Sequence, residues 1–171
     1  PKLPVSRAEN RRPPEQYWIV GSVAFGGFMC AMMSSIVNIS LPALARFFEV
    51  GTSAVVWVIL GYMLTIVALL MPAGKLGDVL GLTRTFLIGY ALFTAGSLFC
   101  GLAPTLSLLI AARCVQAAGA ALLVASSYAI IPKCLPANAT GWAFGMLATA
   151  VALGTTCGAP LGGLIIGFLS W

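Results

Sequence analysis

Five long apolar runs occupy most of this sequence, at residues 17–45, 54–73, 85–103, 106–131 and 143–169. Each provides about the 20 helical residues needed to cross roughly 30 Å of hydrocarbon. Lipid offers no partner to a backbone N–H or C=O, so only helices and closed barrels can span it. Barrel strands alternate apolar and polar residues, and these runs do not. The prediction is an all-α polytopic membrane protein with five transmembrane helices. Composition agrees: 8% of the 171 residues are charged, against about 25% in soluble domains.

The first run contains Ala43-Leu44-Ala45, which imitates a signal-peptidase site. Its apolar stretch far exceeds the roughly 7–15 residues of a signal-peptide core, so it is expected to persist as the first span. Residues 1–16 are polar and rich in Pro and Arg, and read as a flexible tail. Lys2, Arg7, Arg11 and Arg12 lie there; Lys75, Arg84 and Lys133 fall on the same side of the membrane, and Arg46 alone on the other. The positive-inside rule makes the tail side cytoplasmic, as expected for a multi-pass protein of the inner or plasma membrane. The net charge of +5 does not indicate nucleic acid, because no basic stripe is interleaved with aromatics.

The links between runs are short, which predicts that sequential spans lie side by side and antiparallel. None has room for a folded catalytic domain. The chain has no His, no P-loop and no cluster of metal-ligand residues, and its five cysteines are scattered without a CxxC pair. These features predict neither an enzyme nor a metal or cofactor site.

Chemistry is therefore sought among the few polar groups inside the spans. Arg113 enters the fourth span about 8 residues from its outer end, so roughly 12 Å deep. An Arg near the bilayer centre costs about 2.5–3.5 kcal/mol, which favours a position facing the bundle interior. Gln116 follows on the same helical face. A substrate or proton-coupling site and a structural Arg bonded to carbonyls are both open readings. Asn38, deep in the first span, is either packing glue or a substrate contact. In the fifth span Gly154, Gly158 and Gly162 share one face at spacing four, an arrangement that lets another helix approach closely. Pro160 removes a donor and frees the carbonyl of Thr156, so a kink is expected.

One stretch, Gly74-Lys75-Leu76-Gly77-Asp78-Val79-Leu80-Gly81-Leu82-Thr83-Arg84, holds the only Asp of the chain. It reads as a cytoplasmic turn between the second and third spans. Together with Ser34–Leu44, Trp57–Leu64, Ala112–Leu123 and Gly154–Leu164 it resembles the signature segments of the major facilitator superfamily. The combination is similar to the fourteen-span drug:proton antiporter branch over residues 17–171.

The resemblance implies that the five helices form most of the N-terminal six-helix half of that fold. It implies a proton-coupled exporter of amphipathic small molecules, with lipid and the remainder of a transporter chain as partners. Gly74, Asp78, Gly81 and Arg84 would form a gating loop in which Asp78 contacts a helix end across the domain boundary. Arg113 would serve proton coupling, beside Gln116 and Asn38. Gly154, Gly158, Pro160, Gly162 and Gly163 would form the antiporter helix signature. The chain departs from the pattern at Met33, where many relatives carry an acid, at Ala117, at Thr140 and Trp142, and at Val79, Leu82 and Thr83 in the loop. The sequence also ends at the fifth span, short of one half. An alternative is a truncated, non-transporting homologue that acts only as an embedded helix-association module.

Overall fold

The computed structural model describes residues 13–168, with side chains described for residues 16–165. The first twelve residues of the tail lie outside the described residues. The described chain forms five helices: α1 (Pro13–Phe47), α2 (Thr52–Leu80), α3 (Leu82–Gly101), α4 (Leu106–Cys134) and α5 (Ala137–Phe168). All five are long and apolar enough to cross a membrane.

Most of these helices outrun the apolar spans. Hydropathy reports where the bilayer lies, whereas a helix continues until a residue ends it. The stretch Gly74–Leu80, read from sequence as part of a turn, belongs to α2. Gly81 alone separates α2 from α3, at φ 91° and ψ 137°, a conformation that is strained for any residue with a side chain. Its N–H donates to the Gly77 carbonyl at 3.1 Å, and its own carbonyl accepts from Thr85 N at 3.1 Å. Two residues, Leu135 and Pro136, separate α4 from α5, so both helices extend into the link between the fourth and fifth apolar runs. Thr105 caps α4, its hydroxyl accepting from Leu108 N at 3.4 Å. Pro42, Pro72, Pro132 and Pro160 all sit within continuous helix, which membrane helices tolerate when neighbours re-satisfy the freed groups.

Chain order does not set the packing. The principal contacts join α1 to α5, α3 to α4 and α2 to α4, while α4 and α5 barely touch. Two of these three pairs are not sequential, and both run parallel. Short links fix the alternation of direction, but backbones come close only where side chains are small. On α5 the Gly154, Gly158 and Gly162 face meets Phe28, Met32 and Ile36 of α1 in the same order. On α3 and α4, Gly89, Gly96 and Gly119 make the corresponding seam: a Cβ at Gly96 would lie 2.6 Å from Gln116 Cα. Gly61 lets α2 approach Ile110 and Cys114 of α4.

α4 is the centre of the bundle, with 56% of its most apolar stretch buried against 17–28% in the other four helices. One apolar core joins Val20, Phe86, Phe93, Leu123 and Leu147. A second, at the opposite end, joins Val37, Leu44, Val55, Val58 and Leu109. The outward faces are apolar too: Val67, Met71 and Trp18 are exposed, as lipid-facing positions require. Arg113 lies between the two cores, two turns into the central helix.

Candidate functional site

Arg113 is 4% exposed. Its Nη1 donates to Oε1 of Gln116, one turn further along α4. Gln116 Nε2 donates in turn to Ser97 Oγ at 2.6 Å, and Ser97 donates to the Phe93 carbonyl at 2.8 Å. The guanidinium carbon stands 5.4 Å from the centroid of the Tyr62 ring on α2, within cation–π range. Three helices thus fix one cation. The α3–α4 glycine seam is what makes this possible: Gly96, next to Ser97, lies directly against Gln116, so the two helices are near enough for their side chains to bond.

A cavity of about 160 Å³ opens beside this relay, lined by Arg113, Gln116, Ser97 and Cys100 with Met33, Val37, Val58 and Leu109 among the apolar residues. Arg113 also borders a small crevice lined by Ser34, Asn38 and Tyr62. Asn38 therefore shares a crevice with Arg113, but its side chain is exposed and makes no hydrogen bond among the described residues. A third cavity, of about 310 Å³, also borders Tyr62 and includes Cys30, Ser127 and Tyr128.

The other predicted residues lie elsewhere. Gly74 and Asp78 are in the last turns of α2, Gly81 forms the link, and Arg84 is exposed in the first turn of α3. Asp78 Oδ1 is 3.3 Å from Lys133 Nζ in the last turn of α4, and both side chains are largely exposed. Arg84 makes no ion pair among the described residues. On α5, Gly154, Gly158 and Gly162 are buried against α1, whereas Pro160 and Gly163 are exposed. Ser35 strengthens that seam by donating to the Thr155 carbonyl at 2.9 Å. The kink expected at Pro160 does not end the helix.

The sequence reading missed Ser97, Tyr62 and Cys100. Ser97 carried one signal: it is a polar residue beside a glycine inside an apolar run. Tyr62 carried none, because an aromatic ring in a span is ordinary.

The sequence profile of the Major Facilitator Superfamily matches residues 23–171, nearly the whole chain. The chain belongs to the major facilitator superfamily. Among its relatives, the riboflavin transporter RibZ of Clostridioides difficile (strain 630) is 37% identical over 158 residues, covering 92% of this chain and 35% of that protein. The multidrug resistance protein Stp of Mycobacterium tuberculosis (strain CDC 1551 / Oshkosh) is 38% identical over 151 residues, covering 88% of this chain and 28% of that protein. The chain thus spans about a third of the length of the curated relatives it matches. Its five helices form most of a six-helix half of the superfamily fold, and it is a multi-pass membrane protein.

Proposed function

We propose that residues 17–171 are the N-terminal portion of a proton-coupled exporter of amphipathic small molecules, with the tail of residues 1–16 on the cytoplasmic face of the inner or plasma membrane. The working protein moves two bundles against each other around a site near the bilayer midplane. Arg113 carries the reading. A cation held by three helices and open to a cavity is costly, and a purely structural role leaves that opening unused. Gln116 and Ser97 orient the guanidinium, and Tyr62 covers one face of it. Asn38 borders the same polar region from α1. Gly154, Gly158 and Gly162 seat α5 closely against α1. Asp78, with Gly74, Gly81 and Arg84, forms the cytoplasmic gate. Within this segment Asp78 pairs with Lys133.

The test is a chimera in which these 171 residues replace the matching segment of Stp. The chimera is expected to reach the membrane, to lower intracellular accumulation of an amphipathic dye, and to lose that effect when a protonophore is added. A chimera that is folded by size-exclusion chromatography yet gives no efflux, or efflux indifferent to the protonophore, contradicts the proposal.

A further inference from the structure

Among the described residues, no carboxylate answers the buried guanidinium of Arg113. Among residues with described side chains the only acids are Glu49 and Asp78. Asp78 pairs with Lys133 at the cytoplasmic-side end of the bundle, and Glu49 sits in the link after α1, near Thr105. Neither lines a cavity that Arg113 lines. Glu15 lies in the first turn of α1, about 27 Å from Met33 along the helix. Met33, an apolar residue, lines the same cavity as Arg113.

The donor count points the same way. A guanidinium has five N–H donors in a fixed fork and no acceptor. The one hydrogen bond from Arg113 to the protein leaves from Nη1. The remaining N–H groups have no acceptor among the described residues. A buried cation with free donors and no counter-charge is a site for an anion, and a planar carboxylate matches the fork. The remainder of the wall, Val37, Val58 and Leu109, is apolar. At about 160 Å³, the cavity is close to the roughly 150 Å³ that admits a benzene ring. A bare inorganic anion would leave that apolar wall unfilled, and an organic cation would meet a like charge in a medium that screens poorly.

We propose that this cavity binds amphipathic organic anions, with the carboxylate on Arg113 and an apolar ring against Met33, Val37, Val58 and Leu109. The inference rests on the transporter reading above and adds the substrate class to it. It makes Met33 a specificity residue: the absence of an acid there is what leaves Arg113 free.

Benzoate, benzamide and benzamidinium share one shape and differ in charge, so they isolate the head group. Binding of each to the full 171-residue chain in phosphatidylcholine nanodiscs is read by ligand-observed NMR. Benzoate is expected to bind about 10- to 100-fold tighter than benzamide, the range for a hydrogen bond to a charged partner, and benzamidinium more weakly than either. Arg113→Gln should erase the benzoate preference, and Arg113→Lys should keep part of it. Met33→Asp supplies an internal counter-charge and should also erase the preference, without removing the guanidinium. It therefore decides the matter if Arg113→Gln does not fold. Benzamidinium binding best, all three binding equally, chloride displacing benzoate at equal concentration, or a preference that survives Met33→Asp would each overturn the inference. Efflux of a cationic dye by the Stp chimera, with no benzoate preference, would leave the transporter reading standing and remove this one.

Discussion

The seam between α1 and α5 makes a quantitative claim at Gly158. A Cβ there would lie 2.6 Å from the Met32 carbonyl oxygen and 2.8 Å from Ser35 Cβ. The first neighbour is backbone, so it cannot rotate away. To bring that contact to 3.4 Å, where ordinary packing begins, α5 must retreat by about 0.8 Å, enough to forfeit a quarter to a half of each dispersion contact along the seam. Overpacking of this kind costs about 1–3 kcal/mol, and the better helix propensity of Ala returns about 1 kcal/mol. Gly158→Ala should therefore destabilise by about 0–2 kcal/mol, and Gly158→Leu by more. The control is Gly163→Ala on the same helix, where an added Cβ meets nothing within 4 Å, so the substitution should stabilise by the same propensity gain of about 1 kcal/mol and the two variants should differ by the overpacking cost of about 1–3 kcal/mol. At about 2–4 °C per kcal/mol for a chain of this length, the two Ala variants should differ by several degrees. Thermal unfolding in detergent, followed by fluorescence-detected size exclusion, reads the difference. Equal melting temperatures for Gly158→Ala and Gly163→Ala would refute the packing argument.

Three further predictions concern charges and topology. Met33→Asp should raise the melting temperature, and Arg113→Ala in the same background should cancel the gain; additive effects in this double-mutant cycle would show that the two positions do not meet. The Asp78–Lys133 pair is exposed on both sides, so a cycle of Asp78→Asn and Lys133→Gln should give a coupling of about 0.2–1 kcal/mol that fades in high salt, and a larger, salt-independent coupling would contradict the exposed geometry. Val79, 82% exposed at the end of α2, becomes a topology reporter as Val79→Cys in a chain without other thiols: an impermeant maleimide should label it only in inside-out vesicles, and labelling from outside intact cells would invert the proposed orientation.

The number and kind of helices were legible in the sequence because the bilayer imposes both length and apolarity on each span. The helix ends were not. α2 runs on to Leu80 past a Lys and an Asp, since a charged residue at the membrane face does not unwind a helix and only Gly81 does. The α5 seam was readable from one helix, because Gly154, Gly158 and Gly162 repeat every four residues. The α3–α4 seam was not, because Gly89 and Gly96 stand two turns apart and meet different residues of another helix, Gly119 and Gln116. That same seam chooses the partners of Arg113. Gln116 could be foreseen because it lies one turn away on the same helix. Ser97 and Tyr62 reach the site only through interhelical packing, which no local pattern records. The neighbour order was hidden for the same reason: α4 takes the centre through its small residues Ala117, Gly119, Ala120 and Ala121, although its place in the chain does not suggest it.

The central claim is that Arg113 links transport to proton movement, and proton flux measures this most directly. The Stp chimera is reconstituted in proteoliposomes with a pH-sensitive dye inside, and an amphipathic substrate is added across an imposed proton gradient. Substrate is expected to move protons in the opposite direction, and Arg113→Ala, in protein that remains folded, is expected to abolish that movement. Substrate uptake without any proton signal, or proton exchange undiminished by Arg113→Ala, would contradict the account.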